Sequence, residues 1–497
     1  MEKTRAWIER LLLSPAHPFL FSLYFVLRVY ASNAHSIPVL DLIRPLLISV
    51  MVTAAFFLLF LRLVRIRHTA ALMTAVLILA FYLYTLAWAS LPVRKYVPAV
   101  IFALLWGLLA LVLIVLLGWK MRAQPNRDIL AGINFMAIIL LLFPIIQLLI
   151  VSISRSLFPP PKVNHAIKSA LPSSSPDIYY IILDAYTRAD VLNDVYGYDN
   201  SEFLQSLTDL GFYVAECSQS NYTITGLSLT SSLDLDYLQN LSDTFRPDTV
   251  DFLGLFKFLD DNTVQESVSS MGYKTISFAS GFPWAEWRDA DVFIAPSDGP
   301  MTEFETLLLQ STYASILDNT WIVDFEEKYA ERFRVRTRLV LGSFDMLAST
   351  PGPKFVFIHL IVPHPPYAFD ENGNPIRGGS LDPKYGYLNQ VKFINKFILP
   401  GLKTLIEESR TPPVIILQGD HGPMVEENHP AELKILNAYY LPKGRESLYP
   451  TISPVNSFRV VFNSYFDTSF PLLEDVSYYS DRYIRYDFSV IPNDCRE

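Results

Sequence analysis

Long apolar runs recur through the first 155 residues, separated by short polar stretches. A helix needs about 20 apolar residues to cross the hydrocarbon core of a bilayer. The candidate spans are roughly 17–31, 40–62, 69–89, 96–118 and 129–153, the first of them short and interrupted by Arg28. A cleaved signal peptide would contribute only one such run. The recurrence therefore predicts an N-terminal α-helical membrane bundle of about five helices over residues 1–155.

Basic residues fall in alternate loops between these spans. They precede the first span (Lys3, Arg5, Arg10), separate the second from the third (Arg62, Arg65, Arg67) and separate the fourth from the fifth (Lys120, Arg122, Arg127). Loops rich in Lys and Arg stay on the cytoplasmic side. The amino terminus is therefore predicted to be cytoplasmic, and an odd number of crossings places the chain after residue 155 outside the cytoplasm.

The net charge limits the possible partners, and the cysteines bear on the redox compartment. The formal net charge is −9, with 40 basic and 49 acidic residues, and no basic footprint for nucleic acid is present. The two cysteines, Cys217 and Cys495, both lie in the outer part. An oxidising compartment would let them pair, and two free buried thiols are the alternative. The sequence leaves both possibilities open.

The remainder of the chain has the alternation of an α/β domain. Residues 156–176 are rich in Pro and Ser and are predicted to be a linker. Beyond them, helical patterns such as 201–210 and 384–408 alternate with apolar runs at 178–183, 273–278, 354–362, 413–417 and 437–441. These runs are continuously apolar, which is typical of strands covered on both faces. We therefore predict a mostly parallel sheet covered by helices over residues 177–497.

Three of these strands end in polar residues suited to metal or phosphate chemistry. Asp184 follows the first strand, His359 and His364 accompany the third, and Asp420 and His421 follow the fourth. Ligands of open parallel sheets bind beyond the carboxyl ends of the strands. Carboxylate oxygen with imidazole nitrogen suits zinc or manganese and suits calcium poorly. The glycines on both sides of the Asp-His pair are expected to let the backbone turn sharply. Taken singly, such residues also serve as turn caps or scaffolding.

A candidate nucleophile lies in "SQSNYTITGLSLTSSLDL", residues 218–235, where many hydroxyls precede a helical pattern. A threonine in the first turn of a helix sits among free backbone N–H groups, which favour an anionic phosphoryl oxygen. Coordination to a metal is one way to activate such an alcohol. The alternative is that the hydroxyl only caps the helix.

Four motifs together resemble the alkaline phosphatase/sulfatase superfamily, and in particular its membrane-anchored branch of lipoteichoic acid synthases and phosphoethanolamine transferases. They are "YYIILDAYTRAD", "NYTITGLSLTSSL", "VPHPPY" and "GDHG", and the resemblance covers roughly residues 177–465. It implies an alkaline phosphatase-like fold for the outer domain. It also implies a divalent metal, Mn or Zn with Mg possible, held by Asp184, Thr225, Asp420 and His421.

The same resemblance assigns the remaining roles. Thr225 becomes the nucleophile, with Thr223 as the alternative, and His364 becomes a substrate-side histidine. Members of the family with two metals need further ligands, for which His359 and His429 are candidates only. One metal or two therefore stays open at this point.

The function implied is a metal-dependent phosphotransferase or phosphodiesterase that uses a Thr nucleophile on a phosphorylated lipid or envelope glycan. The expected partners are a lipid-linked phosphoryl donor, an envelope acceptor and the cell membrane, with the catalytic domain extracytoplasmic. A sulfuric ester hydrolase is disfavoured, because the sequence lacks a C/S-x-P-x-R motif and Cys217 is followed by Ser-Gln-Ser. The alternatives are an inactive envelope scaffold and a transporter, for which the helices hold few charges beyond Arg28.

Overall fold

The computed structural model describes residues 9–34, 37–91, 97–120, 127–157, 167, 175–249, 253–297, 301–318, 324–377, 381–424, 429–481 and 484–495. The chain divides into two compact units. The helical unit comprises residues 1–159 and 298–325, and the α/β unit comprises 160–297 and 326–497. Most of the predicted linker, 156–176, lies outside the described residues.

Five long helices make up most of the helical unit: α1 (His17–Ser32), α2 (Leu40–Val64), α3 (Arg67–Ser90), α4 (Ala99–Lys120) and α5 (Arg127–Leu157). Within the described residues, four of them, α2 to α5, are long and apolar enough to cross a membrane. The first predicted span forms α1, whose 16 residues fall short of the roughly 20 that a crossing needs. The structure thus shows four of the roughly five predicted spans, and the first predicted span forms a helix that is too short to qualify.

The shorter helix α1 is packed among the others rather than exposed. Phe21, Phe25 and Val26 of α1 are buried, and α1 contacts both α2 and α5. Ala70 and Ala71 of α3 are also completely buried. Small residues let helix backbones approach closely where no water is present to drive association.

The helical unit also contains a segment that the sequence places far beyond the membrane helices. Helix α6 (Glu303–Gln310) begins with a capping box, in which Thr302 and Glu305 each accept a hydrogen bond from the other's backbone N–H. Phe304 and Leu308 on its apolar face join a cluster with Tyr30 of α1. The sequence predicts this segment as part of the second domain, 177–497, whereas in the structure its apolar face packs on Tyr30 and places it in the helical unit.

A seven-stranded sheet is the centre of the α/β unit. Its strands are β1 (Ile178–Leu183), β2 (Tyr213–Val214), β3 (Lys274–Phe278), β4 (Val292–Ile294), β5 (Lys354–Leu360), β6 (Val414–Gln418) and β7 (Asn437–Tyr440), in the order β2-β7-β6-β1-β5-β3-β4. Five consecutive strands in this order run parallel to one another, namely β6, β1, β5, β3 and β4. Strand β7 pairs antiparallel with β6 and with β2. The predicted mostly parallel sheet and its five predicted strands are confirmed.

Helices cover both faces of this sheet, as the continuous apolar strands predicted. Tyr179 and Ile181 point into one core with the helices Phe325–Leu341, Phe344–Ser349 and Pro383–Glu408. Tyr180 and Ile182 point into the opposite core with the helices Thr225–Asp234, Thr263–Met271 and Pro454–Tyr465. The remaining helices are Ala189–Tyr196, Ser201–Asp209, Leu238–Leu241, Leu253–Asp260 and His429–Leu433, with a hairpin of Ser477–Tyr479 and Ser489–Ile491 near the C-terminus.

The α/β unit answers the open question of the two cysteines. Cys217 and Cys495 form a disulfide across a separation of 278 residues. Two further side chains have structural roles. The guanidinium of Arg459 donates to the backbone oxygens of Leu235 and Pro471, so this arginine is structural. Trp287 stacks on Phe355 and Phe357 and is 2% exposed, which makes it a packing residue.

Candidate active site

The candidate site lies where three neighbouring strands of the sheet end. Strand β1 pairs with β5 on one side and with β6 on the other, all parallel, so their carboxyl ends meet at one edge. Asp184 directly follows β1, and Asp420 follows β6 after one glycine. His359 lies within β5, opposite Ile182 of β1. The fold therefore brings together side chains that are more than 170 residues apart in sequence.

The backbone around the two aspartates is unusually constrained. Ala185 has a positive φ of 63°, uncommon for a residue with a Cβ, and its N–H donates to Oδ1 of Asp420 at 2.9 Å. A Cβ on Gly419 would lie 2.3 Å from the carbonyl oxygen of Tyr186, and one on Gly422 would lie 2.3 Å from that of Ala431. Neither glycine has a positive φ among the residues recorded. The glycines thus serve close backbone approach, not the sharp turn that we predicted.

Three oxygen atoms of ligand type lie near Nε2 of His421. This atom is 3.8 Å from Oδ1 of Asp184, 3.5 Å from Oδ2 of Asp420 and 3.1 Å from Oγ1 of Thr225. A tetrahedral zinc ion with bonds of about 2.1 Å holds its ligand atoms roughly 3.4 Å apart. The three distances from His421 are close to this value.

Two buried oxygens support the same interpretation. Oδ1 of Asp184 and Oδ2 of Asp420 are buried and have no hydrogen-bond partner among the described residues. These are the oxygens that face His421. An unpaired buried carboxylate oxygen costs free energy, and a bound cation would remove that cost. The arrangement of the donor atoms, and not only their identity, thus fits a divalent metal.

His421 is held with its Nε2 lone pair facing the site. Its Nδ1 lies 2.7 Å from the carbonyl oxygen of Gly422 and donates to it in the neutral ring. Nε2 is then the acceptor nitrogen, which is the form that binds a metal. A backbone carbonyl that fixes the tautomer is a common partner of histidine ligands.

Thr225 is the first residue of helix α7, Thr225–Asp234, and is 8% exposed. Ile224 before it is extended and caps no N–H group with its side chain. The first backbone N–H groups of a helix lack partners within the helix and attract anions. Ser228, one turn later, donates from its hydroxyl to the backbone oxygen of Asp420 at 2.6 Å and ties the helix to the Asp-His loop.

His359 contacts the site through Asp184. Its Nε2 lies 3.1 Å from Oδ2 of Asp184, the oxygen that does not face His421. Asp184, His359 and Asp420 also qualify by distance as a metal-holding group, with ligand atoms within 4.8 Å of one another. The two possible ligand sets share both aspartates. The unpaired oxygens of the two aspartates face His421, whereas His359 contacts the other oxygen of Asp184, a position that suits a residue that orients Asp184.

His364 lies beside this group and is only half-buried. Its backbone N–H donates to the carbonyl oxygen of Asp184 at 3.1 Å, and its Nδ1 lies 2.6 Å from the carbonyl oxygen of Pro365. The ring packs edge-on against Phe282. A neutral ring that donates from Nδ1 presents a lone pair on Nε2, which can accept or release a proton.

Charges in the site favour an ionised aspartate. Burial would raise the pKa of Asp184, but the nearby histidines 364, 359 and 421 outweigh burial and hold the pKa of Asp184 well below its ordinary value. Burial would likewise lower the pKa of His421, and the carboxylates of Asp420 and Asp184 reverse this and raise it. The site is therefore negative around Nε2 of His421, which attracts a cation.

The structure brings Asp184, Thr225, Asp420 and His421 together and places His364 beside them. His429 is the first residue of the helix His429–Leu433. Sequence reasoning missed Ser228 and the strained Ala185. Ser228 could have been found, because it lies three residues after Thr225 on the same helix face. Nothing in the sequence signals the positive φ of Ala185.

A sulfatase family profile matches residues 176–453, which is more than half of the chain, and the chain belongs to the sulfatase family. It is therefore an enzyme of phosphoryl or sulfuryl transfer chemistry with a membrane region of apolar helices. Comparison with the curated proteins gave no match.

Three of the solved structures that are similar to the chain come from three different bacteria. The C-terminal periplasmic domain of EptC from Escherichia coli, in complex with Zn, is 13% identical, with coverage of 66% of this chain and 95% of that chain and a TM-score of 0.44. The integral membrane lipooligosaccharide phosphoethanolamine transferase A from Neisseria meningitidis is 14% identical, with 86% and 88% covered and a TM-score of 0.39. A protein of the alkaline phosphatase superfamily from Vibrio parahaemolyticus is 9% identical, with 67% and 81% covered and a TM-score of 0.38.

Proposed function

We propose that the chain is a membrane-bound, metal-dependent phosphotransferase or phosphodiesterase with Thr225 as its nucleophile. One observation carries the proposal. Oγ1 of Thr225 lies 3.1 Å from Nε2 of His421, in a group whose two buried aspartate oxygens lack partners among the described residues. A hydroxyl beside potential metal ligands can serve as a metal-activated nucleophile in phosphoryl transfer.

Asp184, Thr225, Asp420 and His421 would hold one divalent ion, Zn or Mn, with Mg possible. Mixed nitrogen and oxygen donors suit zinc and manganese. When bound, the ion lowers the pKa of the threonine hydroxyl and neutralises charge on the phosphoryl group.

The chain's own residues would then carry out two displacements. Before the first step, the hydroxyl of Thr225 gives its proton to solvent and His364 is protonated. In the first step, Oγ1 of Thr225 bonds to phosphorus, the bond from phosphorus to the donor's oxygen breaks, and His364 gives that oxygen its proton. In the second, the neutral His364 takes a proton from the acceptor hydroxyl, or from water, as that oxygen bonds to phosphorus and the bond between phosphorus and Oγ1 of Thr225 breaks. Thr225 and His364 thus return to their starting protonation states. Imidazole suits both proton transfers because the same nitrogen can give and take a proton.

The start of helix α7 would bind the group being transferred. The N–H groups of Thr225 and Gly226 are the first of this helix, where phosphoryl oxygens are favoured. A Cβ on Gly226 would lie 3.0 Å from Leu255, so the second helical position has no room for a larger residue. Trp284 lies 3.6 Å from the same point and limits the site on that side.

The topology that fits this function is multi-pass, with the α/β unit on the extracytoplasmic side. Helix α1 spans about 24 Å at 1.5 Å per residue and is buried beside α2 and α5. We count it as a crossing, which gives five in all with the amino terminus in the cytoplasm. The disulfide of Cys217 and Cys495 agrees with an oxidising compartment.

The donor proposed is a phospholipid and the acceptor a hydroxyl of an envelope lipid or glycan. Three of the similar structures are named as phosphoethanolamine transferases or as domains of them, and two of these three as lipooligosaccharide phosphoethanolamine transferase A. Membrane helices would keep the site beside a lipid donor.

The test compares threonine variants of the full-length protein in lipid. Thr225→Ala should lose release of a phosphoryl headgroup from a phospholipid, whereas Thr225→Ser should keep part of it. Thr223→Ala is the matched control, since Thr223 is two residues away and 6% exposed. Wild-type turnover by Thr225→Ala, or loss of turnover by Thr223→Ala alone, would overturn the assignment.

A further inference from the structure

A groove in the helical unit has the form of a lipid-binding site. It has a volume of about 660 Å³, within the usual range of about 300–1,000 Å³ for ligand pockets. Its walls come from helices α2, α3 and α6. The apolar residues that line it include Ile48, Val52, Phe56, Leu77, Phe81 and Leu309.

The groove has the length of one leaflet of a bilayer. Arg44 and Phe56, both lining residues, are twelve positions apart on α2, which corresponds to about 18 Å along the helix. Half of the hydrocarbon core measures about 15 Å. Arg62 and Arg65 lie at the opposite end of α2, and such basic residues mark the cytoplasmic side. The Arg44 end therefore lies at the outer interface, and the groove runs from there toward the middle of the membrane.

Few polar groups on the walls of the groove need a hydrogen bond from a bound molecule. Three hydroxyls line the groove, those of Ser49, Tyr82 and Thr312. The hydroxyls of Ser49 and Tyr82 lie 2.8 Å apart, and that of Ser49 lies 2.6 Å from the hydroxyl of Ser22. The hydroxyl of Thr312 donates to the backbone oxygen of Leu309 at 2.8 Å. Water needs several polar partners to occupy a cavity, and this wall offers few. Hydrocarbon surrounds the helices, so an acyl chain is the available occupant.

The mouth of the groove carries one charge of each sign. The guanidinium of Arg44 on α2 donates from Nε and Nη2 to the two carboxylate oxygens of Glu305 on α6. Arg44 is 52% exposed and Glu305 is 12% exposed. A headgroup with a phosphate and an ammonium group complements such a pair, because the phosphate faces the guanidinium and the ammonium faces the carboxylate. An anionic headgroup without an amine would meet the carboxylate unfavourably.

We propose that this groove binds one zwitterionic glycerophospholipid of the outer leaflet. One acyl chain lies between α2 and α3, and the headgroup sits at the Arg44–Glu305 pair. The inference does not depend on the proposed reaction, since it rests on residues of the helical unit alone. Helix α6 forms part of the site, which explains why this segment is amphipathic and packs with the membrane helices.

The first test fills the groove. Ile48→Trp and Val52→Trp place a large ring on two lining positions one helical turn apart. Leu47→Trp and Met51→Trp are matched controls, because they lie one residue away on the same helix, are also exposed and are not lining residues. Each full-length protein is equilibrated in nanodiscs of a zwitterionic phospholipid, released into detergent and weighed by native mass spectrometry.

Wild type and both controls should retain one phospholipid, and both groove variants should lose it. A wild type that retains none, or groove variants that retain as much as the controls, would overturn the proposal. Circular dichroism of each variant shows whether the helices remain intact, so that a loss through unfolding is recognised. Photocrosslinking of wild type with a diazirine-bearing acyl chain then supports the site if the label falls on α2 or α3, and contradicts it if the label falls elsewhere.

The second test changes the charge at the mouth. Glu305→Gln removes the carboxylate but keeps the capping box, because Gln can replace Glu at this position of the motif. In nanodiscs with equal zwitterionic and anionic phospholipids of the same chains, wild type should retain the zwitterionic lipid. Glu305→Gln should shift the retained lipid toward the anionic one. Equal retention of both lipids by wild type would overturn the assignment of the headgroup.

Discussion

Burial of Asp234 should make the stability of the α/β unit depend on pH. Asp234 ends helix α7, which begins at Thr225, and it is 2% exposed. The backbone N–H and hydroxyl of Thr263 both donate to Oδ1 at 2.9 Å, while Oδ2 is buried without a partner among the described residues. Burial raises the pKa of Asp234, and the two hydrogen bonds from Thr263 lower it. Burial is the larger effect, so the pKa rises from 3.8 to about 7.

The direction and size of the effect follow from this pKa. An acid with a raised pKa in the folded state binds its proton more tightly there than in the unfolded chain, so its ionisation opposes folding as pH rises. With a pKa of 3.8 unfolded and about 7 folded, the cost is about 0.5 kcal/mol at pH 4 and about 4 kcal/mol at pH 8. The cost of ionising Asp234 is thus small below pH 3.8, and it grows as the pH rises from 3.8 to 7.

The variant Asp234→Asn keeps the shape and removes the ionisation. Its stability relative to wild type should therefore rise by about 3–4 kcal/mol between pH 4 and pH 8, a change of several degrees in Tm. The assay is thermal unfolding of the full-length protein in detergent, followed by tryptophan fluorescence at several pH values. Asp261→Asn, at an exposed aspartate, controls for surface charge. Parallel curves for wild type and Asp234→Asn from pH 4 to pH 8 would refute the reasoning.

Three further predictions concern the site and its support. His359→Ala should weaken the affinity for a divalent metal by about 10–100-fold in equilibrium dialysis, because His359 contacts Asp184. The kcat at saturating metal should be largely kept, and His359→Gln should recover part of the affinity. An unchanged affinity in His359→Ala contradicts a positioning role. Removal of the Cys217–Cys495 disulfide by paired Ser substitutions should cost about 2–5 kcal/mol and lower Tm without abolishing turnover at low temperature; an unchanged Tm counts against it. Gly422→Ala, whose Cβ would meet the oxygen of Ala431 at 2.3 Å, should destabilise by more than about 2 kcal/mol, whereas Gly254→Ala, with open space, should not; equal stabilities would show that the loop can relax.

The sheet could be predicted because its strands carry a simple signal. The runs at β1, β5 and β6 are apolar on both faces, since helices cover both, and continuous apolar runs predict this. Strands β2 and β4 have two and three residues, too few for any pattern to show. They are fixed by pairing with β7 and β3, which is a tertiary effect.

The site residues were named from motifs, but their geometry depends on contacts that no local pattern records. The contact of Thr225 with His421 joins residues 196 positions apart, and Ala185, which has a positive φ, donates a hydrogen bond to Asp420, 235 positions away. The role of Gly419 and Gly422 was misjudged for the same reason. Gly419 must be small because the backbone of Tyr186, far earlier in the sequence, lies against it. Gly422 must be small because the backbone of Ala431 lies against it.

The assignment of residues 298–325 to the helical unit could not be predicted either. The pattern of α6 is amphipathic, and an apolar face of this kind packs equally well on a sheet or on membrane helices. What decides is the partner, here Tyr30 and Arg44 of helices far earlier in the chain. Such a choice is made by tertiary packing and leaves no mark in the local sequence.

The metal content of the purified full-length protein is the most direct test of the central claim. Inductively coupled plasma mass spectrometry should find one divalent ion per chain in wild type and in Thr223→Ala. It should find well below one ion per chain in Asp420→Asn. Asp420→Asn replaces the charged oxygen that lies 3.5 Å from Nε2 of His421. A wild-type protein that stays metal-free after incubation with Zn or Mn, or an Asp420→Asn protein that binds as much as wild type, would contradict the account.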